Sequence, residues 1–329
     1  MRASVIMSVY NTKEEYLQEA IDSILNQTET DFEFIIVDDC CDEDTKRVLS
    51  SYTDNRIKLI VNKENKGLTY NLNVALSIAT GDYIVRMDAD DIAYNTRIEK
   101  MTAYMNENPN VNVLGSYMDC GNIIRKYHGN IPWEIRKAML LFDNVGLGHP
   151  SVIFRKSFLD KYDLCYDVEI KKSQDYEMWT RCIEYSNLNV YPECLMKYRI
   201  HDEQISTKQA SNQNEYMRTV KIRQLSKFKP YLTDDEINEF VEGDRNSKLS
   251  LKDYKKICKK IIVANDKYNL VDNDILKFVL RQKYGVYLNF HNLFLYRIEK
   301  YLYVPFNKRI NKYTEIIKGE DDNYSYQPI

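Results

Sequence analysis

Over the first ninety residues, short apolar runs alternate with amphipathic helical patterns, and that alternation decides most of what this chain can fold into. Residues 4–9, 34–37, 57–61 and 83–87 are runs rich in Val and Ile, the composition of strands buried on both faces. Between the first two, Leu17, Ala20, Ile21, Ile24 and Leu25 share one helical face, and Thr12-Lys13-Glu14-Glu15 reads as the capping box that opens it. After the third, Leu72, Ala75, Leu76 and Ala79 form a second face, with Gly81 as the C-terminal stop. Alternating strands and helices imply right-handed crossovers and an α/β fold with a mainly parallel sheet. Ligands then belong at the carboxyl ends of the strands.

The full length of 329 residues suggests about two domains. Residues 110–205 mix short strands, turns and one helix near 174–185. Beyond 205 the pattern is helical: Thr233-Asp234-Asp235-Glu236 and Ser250-Leu251-Lys252-Asp253 read as helix starts. Tyr254, Ile257, Cys258, Ile261 and Ile262 trace an amphipathic stripe. The expected division is residues 1–205, carrying the chemistry, and 206–329, a helical region with a polar tail after about 318. Net charge is −3, which speaks against a nucleic-acid-coating protein. It is unevenly spread: residues 1–250 sum to −9 and residues 251–319 to +9. No stretch reaches the ~18–20 apolar residues of a membrane span, and the amino terminus shows no signal-peptide pattern. Seven cysteines, without a C-x-x-C pair, fit a reducing, cytoplasmic setting.

Three acidic clusters fall where this topology places a ligand: Asp38-Asp39, Asp88-Ala89-Asp90-Asp91 and Asp175. In an extended segment residues i and i+2 point the same way, so Asp88 and Asp90 can face one site. Convergent carboxylates repel unless a cation separates them. A hard divalent ion takes oxygen ligands and shares them with substrate phosphates. The clusters therefore predict a metal–diphosphate site, against the simpler reading of each Asp as a turn former or cap. The turn Ser8-Val9-Tyr10-Asn11-Thr12 lacks glycine, which disfavours a nicotinamide Rossmann enzyme, and no P-loop is present.

With these residues the chain resembles the inverting family-2 glycosyltransferases of GT-A fold, of the kind that build bacterial capsules and other surface glycans. The resemblance is carried by SVIMSVYN (4–11), VDDCCDEDT (37–45), NKGL (65–68), GDYIVRMDADD (81–91), GHPSVIFRK (148–156) and QDYEMWTR (174–181), and covers residues 1–205. It implies a UDP-sugar donor, Mn²⁺ or Mg²⁺ as cofactor, and a glycan or lipid-linked glycan acceptor. Val9, Tyr10 and Asn11 would contact the nucleotide, and Asp39 would accept from the uracil N3–H. Asp88 and Asp90 would form the D-x-D motif, Asp88 near the ribose and donor sugar and Asp90 on the metal, with Ala89 between them. His201 would reach the metal or diphosphate, and Asp175 would be the catalytic base. Ser8 stands where Pro is usual, Cys40-Cys41 where Gly-Ser is common, and Gln174 where a Glu precedes the base. Leu72 takes a position where many relatives carry an Arg, for which Lys66 or Arg86 is the expected substitute.

The implied chemistry is a single displacement: one carboxylate takes the acceptor's proton and the anomeric configuration inverts. Two rivals stand beside it, a nucleotidyltransferase on a related fold and a catalytically silent scaffold in a polysaccharide assembly complex. Trp179 reads either as a platform for a sugar ring or as a core residue behind Asp175. His149-Pro150 reads either as an acceptor-side loop or as a structural turn. Arg97 and Arg181 are expected to be ion-pair partners, and His128 and His291 ordinary. Residues 284–313 interleave Tyr, Phe and Leu with Lys and Arg. That segment reads as a helical cap, a peripheral membrane patch or a homodimer face.

Overall fold

The computed structural model describes residues 2–121, 123–125, 129, 131–200, 210–242 and 249–291, with side chains except at 210–212, 251 and 284–291. Among these, nine strands form one sheet: β1 (Ala3–Val9), β2 (Phe32–Asp38), β3 (Ile57–Val61), β4 (Tyr83–Asp88), β5 (Ile92–Ala93), β6 (Val113–Asp119), β7 (Ile124–Arg125), β8 (Ile153–Arg155) and β9 (Leu188–Lys197). The sheet order is β3-β2-β1-β4-β8-β6-β9-β5, with β7 against β6. β1, β2, β3 and β4 run parallel, β8 is antiparallel to β4 and β6, and β6 and β9 are parallel. The helices of this part are α1 (Glu14–Leu25), α2 (Glu43–Ser51), α3 (Leu68–Ile78), α4 (Arg97–Glu107), α6 (Lys156–Lys161) and α7 (Gln174–Cys182). This is the GT-A architecture, an α/β fold with a mainly parallel sheet flanked by helices.

Register places the ligand end. Ser8 of β1 lies opposite Asp88 of β4, and Val9 lies opposite Asp38 of β2. The carboxyl ends of the three central parallel strands therefore finish side by side. Beneath them, Val5, Met7 and Val9 of β1 join Phe34, Ile36, Val85 and Met87 in a core closed by Leu17, Ala20, Ile21 and Ile24 of α1. These side chains are almost wholly buried, and close packing of such a core fixes the strand ends that carry the polar residues.

Three local expectations give way. α1 begins at Glu14 with Lys13 at the cap and no side-chain capping bond, so Thr12 stands one residue too early for a capping box. β3 is the edge of the sheet and exposes Lys58, Leu59 and Val61, because an apolar run does not say which strand pairs on one side only. α3 ends at Ile78 with Ala79 at its C-cap, so Gly81 stops no helix. Gly81 instead lies on the backbone of β1, where a Cβ would sit 2.7 Å from the Ala3 carbonyl carbon and 2.7 Å from the Ser4 nitrogen. Backbone cannot step aside as a side-chain tip can. Gly81→Ala is therefore expected to destabilise the fold by about 2 kcal/mol or more, read as a lower urea midpoint with unchanged slope.

At the opposite end of the same strands Glu33 is buried and fully engaged. It accepts from Ser4 Oγ (2.6 Å), Thr80 N (2.7 Å), Thr80 Oγ1 (2.8 Å) and Lys58 Nζ (2.5 Å). Burial pushes its carboxyl up, but these donors together outweigh burial and hold it at about 2, against 4.5 ordinarily. A depressed folded-state value stabilises the protein above the unfolded value and loses that contribution as pH falls through the folded one. Stability is thus expected to decline between pH 4.5 and 2. Glu33→Gln should be less stable than wild type at pH 7, with the gap closing over that window in pH-dependent unfolding.

The chain divides into two compact units, Met1–Asn130 with Gly146–Tyr216, and Ile131–Val145 with Met217–Ile329. The expected boundary near 206 falls among residues outside those described. The second unit comprises α5 (Trp133–Leu140), most of α8 (Ala210–Leu225), α9 (Asp234–Glu242), α10 (Leu251–Tyr268) and α11 (Asn273–His291). Its core packs Phe142, Phe228, Phe240, Tyr254, Ile257 and Ile261 together, with Phe240 stacked on Tyr254. Both predicted helix starts form: Thr233 and Glu236 exchange bonds of 3.1 and 3.2 Å, and Ser250 Oγ accepts from Asp253 N at 3.2 Å. Among the described residues no helix is long and apolar enough to cross a membrane.

Candidate active site

Two loops meet at the ends of β1 and β2. Asp39 is buried, and its carboxylate accepts from the main-chain N–H of Lys66 (2.7 Å) and Gly67 (2.9 Å) and from Asn62 Nδ2 (3.0 Å). Asn62 also donates to Asn71 Oδ1 (2.7 Å), and Asn71 donates to Ser8 Oγ (2.9 Å). Asp39 thus anchors the loop that opens α3, and a half-buried polar chain ties it to the end of β1. That chain is not visible in sequence, since Ser8, Asn62 and Asn71 meet only through the fold. On the other side, Asn11 Oδ1 accepts from Asp42 N (2.8 Å), and Asp42 caps α2 through Thr45 N (2.9 Å).

Among the residues expected at the nucleotide, Tyr10 is exposed, whereas the Val9 side chain is buried. The Val9 carbonyl is occupied by Asp39 N (2.9 Å) and Cys41 Sγ (3.2 Å). The Lys66 ammonium pairs with Glu64. Leu72 is wholly buried. Asn11 (φ 46°), Cys40 (φ 60°) and Ser173 (φ 57°) hold left-handed backbone without being glycine. Cys40 directly follows Asp39 and Ser173 lies two residues before Asp175, while Asn11 lies just past β1 and bonds Asp42; Asp163 and Asn269 share the conformation elsewhere.

The acidic loop follows β4. Asp88 ends the strand, Ala89 and Asp90 form a turn, and the side-chain oxygens of Asp88, Asp90 and Asp91 lie within 4.8 Å of one another. The convergence therefore comes from a turn rather than from extended alternation, and it brings in Asp91, to which no role had been given. Asp91 is wholly buried: Oδ1 accepts from Arg199 N at 3.0 Å, while Oδ2 has no hydrogen-bond partner. Burial, then the charges of Asp88 and Asp90, push its carboxyl well up. Burial also raises Asp88, with Asp90 adding to the rise and its ion-pair partner Arg86 opposing it. An orphaned buried oxygen beside two further carboxylates suits a hard divalent cation, which would satisfy the lone pairs and remove the repulsion. His201 lies outside the described residues.

Asp175 is half-buried in the first turn of α7. Asn73 of α3 exchanges two 2.8 Å bonds with the Tyr166 main chain, and Thr69 donates to the Ile170 carbonyl (3.3 Å). The helix opened by Asp39 thereby also fixes the approach to α7. Burial raises the Tyr166 hydroxyl, with Arg86 opposing and Cys182, Asp175 and Asp88 adding to the rise.

Trp179 is wholly buried, stacked on Phe154 at 5.9 Å, so it is a core residue and not a sugar platform. Gly146 permits this, because a Cβ there would lie 1.9 Å from the Trp179 ring. His149 is buried with Nε2 2.7 Å from the Tyr166 hydroxyl, and burial, then Arg86, lower it well below the usual range. It is a neutral internal residue, consistent with a structural turn. Arg181 pairs with Glu177 as expected. Among the described residues Arg97 hydrogen-bonds no carboxylate; it donates to the Arg86 and Pro150 carbonyls at 2.8 Å each.

The chain is similar to known glycosyltransferases in sequence and in fold. The family description Glycosyl transferase family 2 matches residues 4–163. A protein of Haemophilus influenzae, named only as a glycosyltransferase, is 30% identical over 298 residues, covering 84% of this chain and 90% of its own. The chain belongs to glycosyltransferase family 2. Within that family it is 29% identical over 209 residues to the Escherichia coli UDP-Glc:alpha-D-GlcNAc-diphosphoundecaprenol beta-1,3-glucosyltransferase WfgD, covering 62% of this chain and 79% of WfgD. The fold is similar to that of S. aureus TarS 1-349 in complex with UDP-GlcNAc, at TM-score 0.57 and 18% identity over 88% of this chain and 92% of that one.

Proposed function

We propose that this family-2 glycosyltransferase moves a sugar from a UDP-linked donor to a hydroxyl of a glycan or lipid-linked glycan, with inversion, in surface polysaccharide synthesis. The observation that carries the reading is the carboxylate trio Asp88, Asp90 and Asp91 at the end of β4, beside the Asp39 loop at the end of β2. Names of relatives support the donor class: WfgD is a UDP-glucose enzyme, and TarS shares the fold and is known with UDP-GlcNAc.

The residues would divide the work as follows. Asp39 already accepts three bonds, and a carboxylate has about four acceptor sites. The one left suits a single donor such as the uracil N3–H. Asp88, Asp90 and Asp91 would hold Mn²⁺ or Mg²⁺, which supplies Lewis-acid neutralisation of the departing diphosphate. Asp175 would take the acceptor hydroxyl's proton. A lone base facing one displacement inverts the anomeric carbon, so an α-linked donor gives a β-linked product. Anomeric NMR of the product from a UDP-sugar panel tests this. A β-linkage from an α-donor is expected, and a retained configuration or no turnover with any nucleotide sugar would sink the reading. The aromatic, basic segment 284–313, proposed for peripheral membrane contact or homodimerisation, has its side chains outside the described residues.

A further inference from the structure

Three carboxylates with oxygens inside 4.8 Å repel one another when ionised. The loop that carries them follows a strand end and includes a turn, so it needs an external constraint to stay in place before a cation arrives. Part of that constraint is the two-residue β5, paired with β9 through Ile92 and Lys197 and through Ala93 and Met196. The rest comes from Arg199, two residues past the end of β9. Its main-chain N–H donates to Asp91 Oδ1 at 3.0 Å, and its Nε donates to the Asp90 carbonyl at 2.9 Å. The other end of the same guanidinium pairs with Glu19 and lies 4.3 Å over the Tyr16 ring, both on α1.

We propose that Arg199 is a positioning residue for the metal-binding loop, tying Asp90 and Asp91 to α1 so that their carboxylates converge. Arginine suits this task because its planar fork donates in two directions at once, to a carbonyl on one side and a carboxylate on the other. Lysine has one point charge and cannot span both. Glu19 and Tyr16 act through Arg199. The inference rests on the divalent-cation reading above and adds to it where the loop's geometry comes from.

The test is direct Mn²⁺ binding to the full chain with UDP present, followed by electron paramagnetic resonance of the free ion, for wild type, Arg199→Met and Glu19→Gln. Arg199→Met should weaken Mn²⁺ binding about tenfold, and Glu19→Gln, which keeps a neutral hydrogen bond, about twofold to threefold. Turnover by Arg199→Met should show a raised Mn²⁺ requirement and recover near-wild-type kcat at high Mn²⁺. A merely structural residue would lower the unfolding temperature and leave Mn²⁺ affinity alone. Wild-type affinity in a folded Arg199→Met would overturn the proposal. Should that variant fail to fold, Glu19→Gln decides, and an unchanged affinity there overturns it too. No Mn²⁺ binding by wild type would remove the cation reading and this inference together, whereas binding by wild type with unchanged variants removes only the inference.

Discussion

Asp175→Asn is expected to lower turnover by 10²- to 10⁴-fold, the contribution typical of a positioned general base, while UDP affinity changes by less than about twofold. The two side chains have nearly the same shape, but the amide cannot accept the acceptor's proton. Asp175 sits in the first turn of α7 behind Ser173, whose left-handed backbone sets the helix's start. Below it, wholly buried Trp179 packs against Phe154 and is accommodated by Gly146. The variant should therefore fold normally, and wild-type circular dichroism and unfolding temperature would show that the loss is chemical. Wild-type turnover in Asp175→Asn would mean that another group takes the proton.

Asp90→Asn should have a comparable effect by a different route. Removing one carboxylate from the trio weakens the oxygen cradle for a divalent ion, whose neutralisation of developing charge is worth several kcal/mol, or at least about 10²-fold in rate. Loss should appear in both Mn²⁺ affinity and turnover, and it should be partly restored by raising Mn²⁺. Folding stability measured without metal should rise, because a like charge leaves a site where Asp88 and Asp91 are already pushed up by burial and by their neighbours. An activity loss that no Mn²⁺ concentration relieves, with Mn²⁺ binding intact, would place Asp90 outside the metal site.

The strand–helix alternation made the parallel half of the sheet legible, since apolar runs and helical faces are local signals. The same topology put Asp39, Asp88 and Asp90 at the carboxyl ends of β2 and β4, where the structure has them. What stayed hidden depends on tertiary placement. Asp91 was passed over because alternation along an extended strand points it away, whereas the chain turns after Asp88. A third acid closing the Asp88-Ala89-Asp90-Asp91 motif was the available signal. The Asn62–Asn71–Ser8 chain behind Asp39 joins residues up to 63 positions apart, and no periodicity encodes it. Gly81 looked like a helix stop and is instead a point of close backbone contact. β3 looked like a buried strand and lies at the edge. Arg97 looked like an ion-pair partner from its charge, but it is wholly buried beneath the site and bonds carbonyls.

The most direct test of the central claim is calorimetric titration of UDP into the protein with Mn²⁺ present, repeated in EDTA. If Asp88, Asp90 and Asp91 hold a cation that the diphosphate shares, binding should be clear with Mn²⁺ and at least about tenfold weaker in EDTA, a difference of 1.4 kcal/mol or more. Equal affinity in the two buffers, or no binding in either, would contradict a metal–diphosphate site at the end of β4.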